Sequence, residues 1–86
     1  AVFLLSGYII VNIWARLLEA KEYAKFIEKL RKARLEAGLR QIEVAKKVKR
    51  PQSYISRVES GEYRLDILEV KKLARIYKKS VEYFIK

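Results

Sequence analysis

Cysteine, histidine, methionine and threonine are absent from this 86-residue chain, and asparagine, proline and tryptophan occur once each. Without cysteine or histidine there is no disulfide framework, no zinc finger, no thiol nucleophile and no imidazole acid–base chemistry. The remaining residues show no glycine-rich phosphate loop, metal-ligand cluster or nucleophile–base pair, so neither an enzyme nor a cofactor or metal is expected. Without methionine, Ala1 is not a retained initiator, and a processed or trimmed start is expected. Acid is scarce as well: 10 Asp+Glu stand against 20 Lys+Arg, for a net charge of +10 and a pI near 10.0. Yet 51% of the residues are apolar, which favours folding over disorder despite the charge. A chain this short builds one hydrophobic core and leaves no room for a separate ligand-sensing domain.

Charge and greasiness are segregated along the chain. Residues 1–15 (AVFLLSGYIIVNIWA) carry no charge, and every basic residue falls between Arg16 and Lys86. The division is therefore an apolar arm over 1–15 and a basic domain over 16–86. The arm is shorter than the roughly 20 apolar residues of a membrane span and is interrupted by Ser6, Gly7 and Asn12. It also lacks the basic start and cleavage site of a secretory signal. Its Val, Ile, Phe and Tyr content, with Ser6-Gly7 between VFLL and YIIV, favours a strand or small hairpin. A lone hairpin needs a packing partner, so the arm is expected to pack on its own domain or join two copies. An ill-ordered extension and a membrane anchor through residues 1–15 are the lesser alternatives.

Beyond the arm the pattern is helical. Asn12 reads as an N-cap, and Ile13, Leu17, Ala20, Ala24, Ile27 and Leu30 recur at three- and four-residue steps until Gly38 stops the helix. A short helix follows over Gln41 to Val48. Pro51 opens another that runs to about Ser60 and ends at Gly61. Asp66 is placed to cap a helix over Ile67 to Tyr77 with Ile67, Val70, Leu73, Ala74 and Tyr77 on its apolar face. Ser80 caps a last turn or two holding Val81, Phe84 and Ile85.

The stretch QIEVAKKVKRPQSYISRVESG, residues 41–61, joins two short helices by a tight connection, with Val44, Ala45, Val48, Ile55 and Val58 as apolar anchors. That spacing fits a helix-turn-helix, and it also fits an ordinary corner in a small bundle. In the second helix Gln52, Ser53, Ser56 and Arg57 fall on one face, opposite Ile55 and Val58. Short or bidentate polar groups near a helix start are what a major-groove reader presents to base edges: Gln52 matches adenine, Arg57 guanine or a phosphate, the serines either. Tyr54 would pack beside a thymine methyl or cover the motif. Arg40 to Arg50 holds five basic residues against Glu43 alone. Lys71, Lys72, Lys78 and Lys79 read as solubility charges.

LRKARLEAG, then QIEVAKKV, then QSYISRVESGEYRLD resembles the Cro/CI-type (XRE-like) helix-turn-helix DNA-binding domain, from about Tyr23 to Phe84. The resemblance implies an all-α, five-helix, lambda-repressor-like bundle. It implies a cytoplasmic, sequence-specific regulator of transcription, such as a repressor, that binds double-stranded DNA as a dimer on a palindromic operator. It also implies that Gln41 clamps a phosphate and braces Gln52, that Arg64 grips the backbone, and that Arg34 pairs with Glu59. Phosphate contacts are thus expected from Arg40, Gln41, Lys49, Arg50, Tyr54 and Arg64. Two positions depart from the family pattern: Lys49 stands where a glycine is usual and Arg50 where a small apolar residue is. Lys49 must then accept a left-handed backbone. The expected homodimer joint is the arm first and the Val81–Ile85 face second. The other reading is an antitoxin-like or bridging module that uses the same fold to bind a protein partner.

Overall fold

The computed structural model describes the backbone from Val2 to Lys86 and the side chains from Glu19 onward. It holds five helices in the order α1 (Val2–Glu36), α2 (Gln41–Val48), α3 (Gln52–Glu59), α4 (Ile67–Tyr77) and α5 (Val81–Ile85). Among the described residues there is no strand, so the fold is an all-α five-helix bundle.

The arm departs from the strand or hairpin expected of it. Its backbone is the start of α1, a 35-residue helix that also runs through Asn12, which therefore caps nothing. Two physical terms account for the difference. β-propensity is mostly a preference for a pleated, half-buried surface, and a single hairpin provides little of one. Helix growth from an existing nucleus adds one hydrogen bond per residue fixed, and no proline blocks the run back from Ala15 to Val2. Among the described residues no helix is long and apolar enough to cross a membrane.

The core gathers one stripe from each helix: Leu30 and Ala33 of α1, Val44 and Ala45 of α2, Ile55 and Val58 of α3, Val70, Leu73, Ala74 and Tyr77 of α4, and Phe84 of α5. The inward face of α1 is rotated from the one its periodicity suggests. Ile27 and Leu30 face the core as expected, but Phe26 joins them and Tyr23 is half-buried, whereas Ala20 and Ala24 are exposed; Ile13 and Leu17 lie outside the described side chains. Aromatic rings bury more area than alanine methyls, and Phe26 meets Phe84 edge-on at 6.3 Å, which decides the rotation. Ile67 and Ile85, expected on apolar faces, are exposed at the ends of their helices.

Helix boundaries follow local chemistry closely. The Asp66 side chain accepts from the Glu69 amide at 2.8 Å, Glu69 accepts back from Asp66, and Ser80 caps α5 through Tyr83. Four helices end in the same left-handed turn with paired backbone bonds. Glycine supplies it at Gly38 and Gly61, and lysine at Lys49 and Lys78, both at φ 58°. At Lys49, for example, Arg50 N–H reaches Ala45 O at 3.0 Å and Lys49 N–H reaches Lys46 O at 3.2 Å. A side chain in this region costs about 1–2 kcal/mol relative to glycine, partly offset by glycine's greater freedom when unfolded. Lys49→Gly is therefore expected to stabilise the domain by about 0.5–1 kcal/mol, visible as a raised midpoint in urea; a lowered midpoint would show that the lysine side chain stabilises the turn.

Candidate nucleic-acid interface

α2 packs against α3, and Val44 and Ala45 of the first and Ile55 and Val58 of the second are buried in the shared core. Ala45 is 2% exposed in that core, where its small side chain takes little room. With Ile55 and Val58 fixed inward, Gln52, Ser53, Ser56 and Arg57 are all exposed together on the other side of α3. Lys49 and Arg50, in the turn before α3, are exposed as well. Among the described residues no ion pair involves Lys49, Arg50 or Arg57.

The starts of the two motif helices differ from those of α4 and α5. Neither Arg40 before α2 nor Pro51 before α3 provides a side-chain cap acceptor, whereas Asp66 and Ser80 do. In α2 the amides of Glu43 and Val44 both go to Arg40 O at 3.1 Å. The amides of Gln41 and Ile42 ahead of them have no acceptor among the described residues. Free amides and the positive end of a helix dipole favour an anion from outside. Glu43 opposes this in part: its Oε1 accepts from both N–H and Nε of Arg40 at 3.0 Å. Those same bonds, first from the backbone and then from the guanidinium, hold the Glu43 carboxyl below its ordinary pKa.

Behind the exposed face lies a charged clasp. Arg34, 7% exposed, donates through Nε to Glu59 Oε2 at 2.7 Å and through Nη2 to Glu59 Oε1 at 3.1 Å. Its Nη1 donates to the Leu39 carbonyl at 2.9 Å. Gln41 Nε2 donates to Glu59 Oε1 at 3.1 Å, so its amide nitrogen is held by the clasp and not by Gln52. The last turn of α3 is thereby tied at once to α1, to the α1–α2 connection and to the start of α2. Tyr77 sits within reach of this charge: burial first, then the Glu59 carboxylate, pushes its phenol pKa well up, with Arg34 pulling the other way.

Tyr54 and Arg64 are placed differently from the rest. The Tyr54 hydroxyl donates to Glu69 Oε2 on α4, and its ring meets Tyr63 edge-on at 5.2 Å. Burial, then the Glu69 hydrogen bond, raises its pKa, so it stays a neutral donor. Tyr54 thus covers the motif from the α4 side with its hydroxyl committed, while the Arg50 guanidinium lies 5.0 Å over its ring. Arg64 stacks 4.5 Å over Tyr23 and approaches Glu19 Oε1 at 3.6 Å, both carboxylate and guanidinium remaining well exposed. Such an exposed pair is weak and easily exchanged for a phosphate.

Two contributors escape a reading of residue order. The Tyr23 hydroxyl accepts from Leu65 N–H at 3.3 Å and donates to Tyr63 O at 3.4 Å, which pins the α3–α4 connection to α1. Glu69 joins α3 to α4 through Tyr54 while completing the cap with Asp66. The Asp-x-x-Glu spacing of residues 66–69 announces the cap; nothing in the order of residues announces the tyrosine contacts.

A buried α2–α3 pair with a tight left-handed turn and a polar, cation-flanked outer face on the second helix defines a helix-turn-helix DNA-binding domain. Comparison with protein-family models matches residues 30–84 to the helix-turn-helix family. The chain accordingly belongs to the Cro/CI-type (XRE-like) helix-turn-helix family, and its domain is of the DNA-binding regulatory kind. Searches of curated proteins and of solved structures gave no match.

Proposed function

We propose that this chain is a sequence-specific regulator of transcription that reads double-stranded DNA with α3 in the major groove. The observation that carries the reading is the joint exposure of Gln52, Ser53, Ser56 and Arg57 beside Lys49 and Arg50, which make no ion pair among the described residues, with Ile55 and Val58 locked behind them. In this reading Gln52 and Arg57 read base edges, and Ser53 and Ser56 approach bases or the adjacent backbone. The free amides of Gln41 and Ile42 receive a phosphate, aided by Arg40, Lys49 and Arg50. Arg64 joins them by leaving Glu19. Tyr54 acts chiefly by holding α3 against α4.

The test is a selection of bound sequences from random duplex DNA, followed by affinity measurements across salt. Enriched inverted half-sites about one helical turn apart, with log K falling against log[salt] at a slope near −4 to −5 per half-site, about five phosphates each, are expected. Recovery of no preferred sequence, together with a stoichiometric protein partner in a pull-down, would move the reading to an antitoxin-like or bridging module.

A single domain of this size offers few base contacts, so the regulator is proposed to act as a dimer. The arm is the proposed joint, now as a helix: with α1 running on to Val2, the 35-residue element is about 52 Å long, and two such helices pairing over their uncharged stretch need no strand edges. Deleting residues 1–12 is expected to shift sedimentation toward the monomer and to weaken binding to a full operator more than to a half-site. An unchanged oligomer would transfer the joint to α5.

A further inference from the structure

A sizeable cavity among the described residues lies away from α3. It measures about 520 Å³ and opens where the end of α1, the end of α2 and the end of α4 converge. That volume falls within the roughly 300–1,000 Å³ of small-molecule sites. Part of its lining is apolar: Leu39 and Ile76 are half-buried, and Tyr77 is buried. The rest includes three lysines, Lys47, Lys78 and Lys79, with Glu36 as the one acidic residue in the lining. Glu36 is already engaged by Lys79 Nζ at 3.0 Å. Lys47 and Lys78 make no ion pair among the described residues, so two lysines of the lining keep their charge available beside an apolar surface.

The turn that ends α4 also lies at the lip. Lys78 sits at φ 58° and ψ 44°, where glycine would be free of steric cost. The other non-glycine residue at positive φ, Lys49, borders the proposed DNA face, where its charge has a use. Lys78 lines none of that face. The turn places Lys78 in the cavity lining at the cost of a left-handed backbone.

We infer that this cavity is a binding site for a small organic anion, a carboxylate, sulfonate or phosphate ester attached to an aromatic or branched aliphatic body. Lys47 and Lys78 take the charged group, and Leu39, Ile76 and the Tyr77 ring take the body. Inorganic anions gain only the charge contacts, and neutral molecules only the apolar ones, so both bind more weakly.

Anilinonaphthalene sulfonate, an aromatic anion whose fluorescence rises on leaving water, tests this on the full chain. Saturable binding of one molecule per chain is expected, with the uncharged parent amine at least about tenfold weaker. The double variant Lys47→Gln, Lys78→Gly is expected to weaken the probe at least about tenfold. Glycine accepts the left-handed backbone at residue 78, so this variant is designed to keep the fold. A control, Lys32→Gln with Lys71→Gln, removes the same charge from two exposed lysines outside the cavity and is expected to stay within about twofold of the parent. Equal weakening in both doubles, or in neither, would overturn the site. So would methyl resonances of Leu39 and Ile76 in the unaltered chain that stay still as the probe saturates, a readout that needs no variant.

Discussion

Arg34→Ala is expected to remove about 3–5 kcal/mol of folding stability, a fall in melting temperature on the order of 20 °C for a domain of this size. The substitution takes away the guanidinium that makes two bonds to Glu59 and one to the Leu39 carbonyl. What remains is a carboxylate whose side chain is 7% exposed, with the Gln41 amide as its one side-chain donor. The large effect is the cost of that stranded charge rather than the worth of the pair, because two charges taken out of water recover little beyond their own desolvation. A second variant separates these contributions. Arg34→Met combined with Glu59→Met removes both charges and leaves apolar volume in their place, so it is expected to melt much closer to the parent than Arg34→Ala alone. Arg34→Lys keeps the charge but loses the planar fork and falls between. Melting followed by circular dichroism decides the matter; an Arg34→Ala protein within a few degrees of the parent would show that the clasp contributes nothing to the fold.

The second large effect is on recognition and leaves stability alone. Gln52→Ala and Arg57→Ala are each expected to cost about 1–3 kcal/mol of affinity for the selected operator. Both side chains are exposed and lie opposite the buried Ile55 and Val58, so both variants should melt with the parent. They should differ from one another in a useful way. On the proposed reading Gln52→Ala loses a base contact, and it is expected to leave non-specific binding and the salt slope intact. Arg57→Ala does the same if the guanidinium reads a base, and flattens the slope by about one if it sits on a phosphate. Competition titrations at two salt concentrations measure both quantities. Operator affinity unchanged in both variants would remove α3 as the reading element. The contrast with Arg34, which is 7% exposed, is the check that binding losses are not unfolding losses.

The Lys49 turn and the proposed anion site meet in one comparison. Both left-handed lysines end helices in the same hydrogen-bonded turn, so a glycine at either place tests backbone relief with little change in packing. At Lys49 the altered side chain borders the proposed DNA face, and at Lys78 it lines the cavity. Stability, operator affinity and probe affinity should therefore respond separately in the two variants.

Residue order alone determined much of the domain. Asp66 with Glu69, Ser80, Gly38 and Gly61 mark where helices start and stop because capping is local chemistry, settled within four residues. The alternation of Val44, Ala45, Ile55 and Val58 with exposed polar residues fixes which side of α3 faces out, since a buried face leaves its opposite no choice. The arm is where order misled: its Val, Ile and Tyr content suggests strand, while an unbroken helix behind it extends through the whole stretch. The rotation of α1 that brings in Tyr23 and Phe26 needed the partner aromatics of other helices, and the commitment of Tyr54 to Glu69 needed α3 and α4 side by side. The same holds for the direction of the Gln41 amide and for the cavity lined by Lys47 and Lys78. These features join residues from different helices, where distance and desolvation act through space, and only packing decides which groups meet.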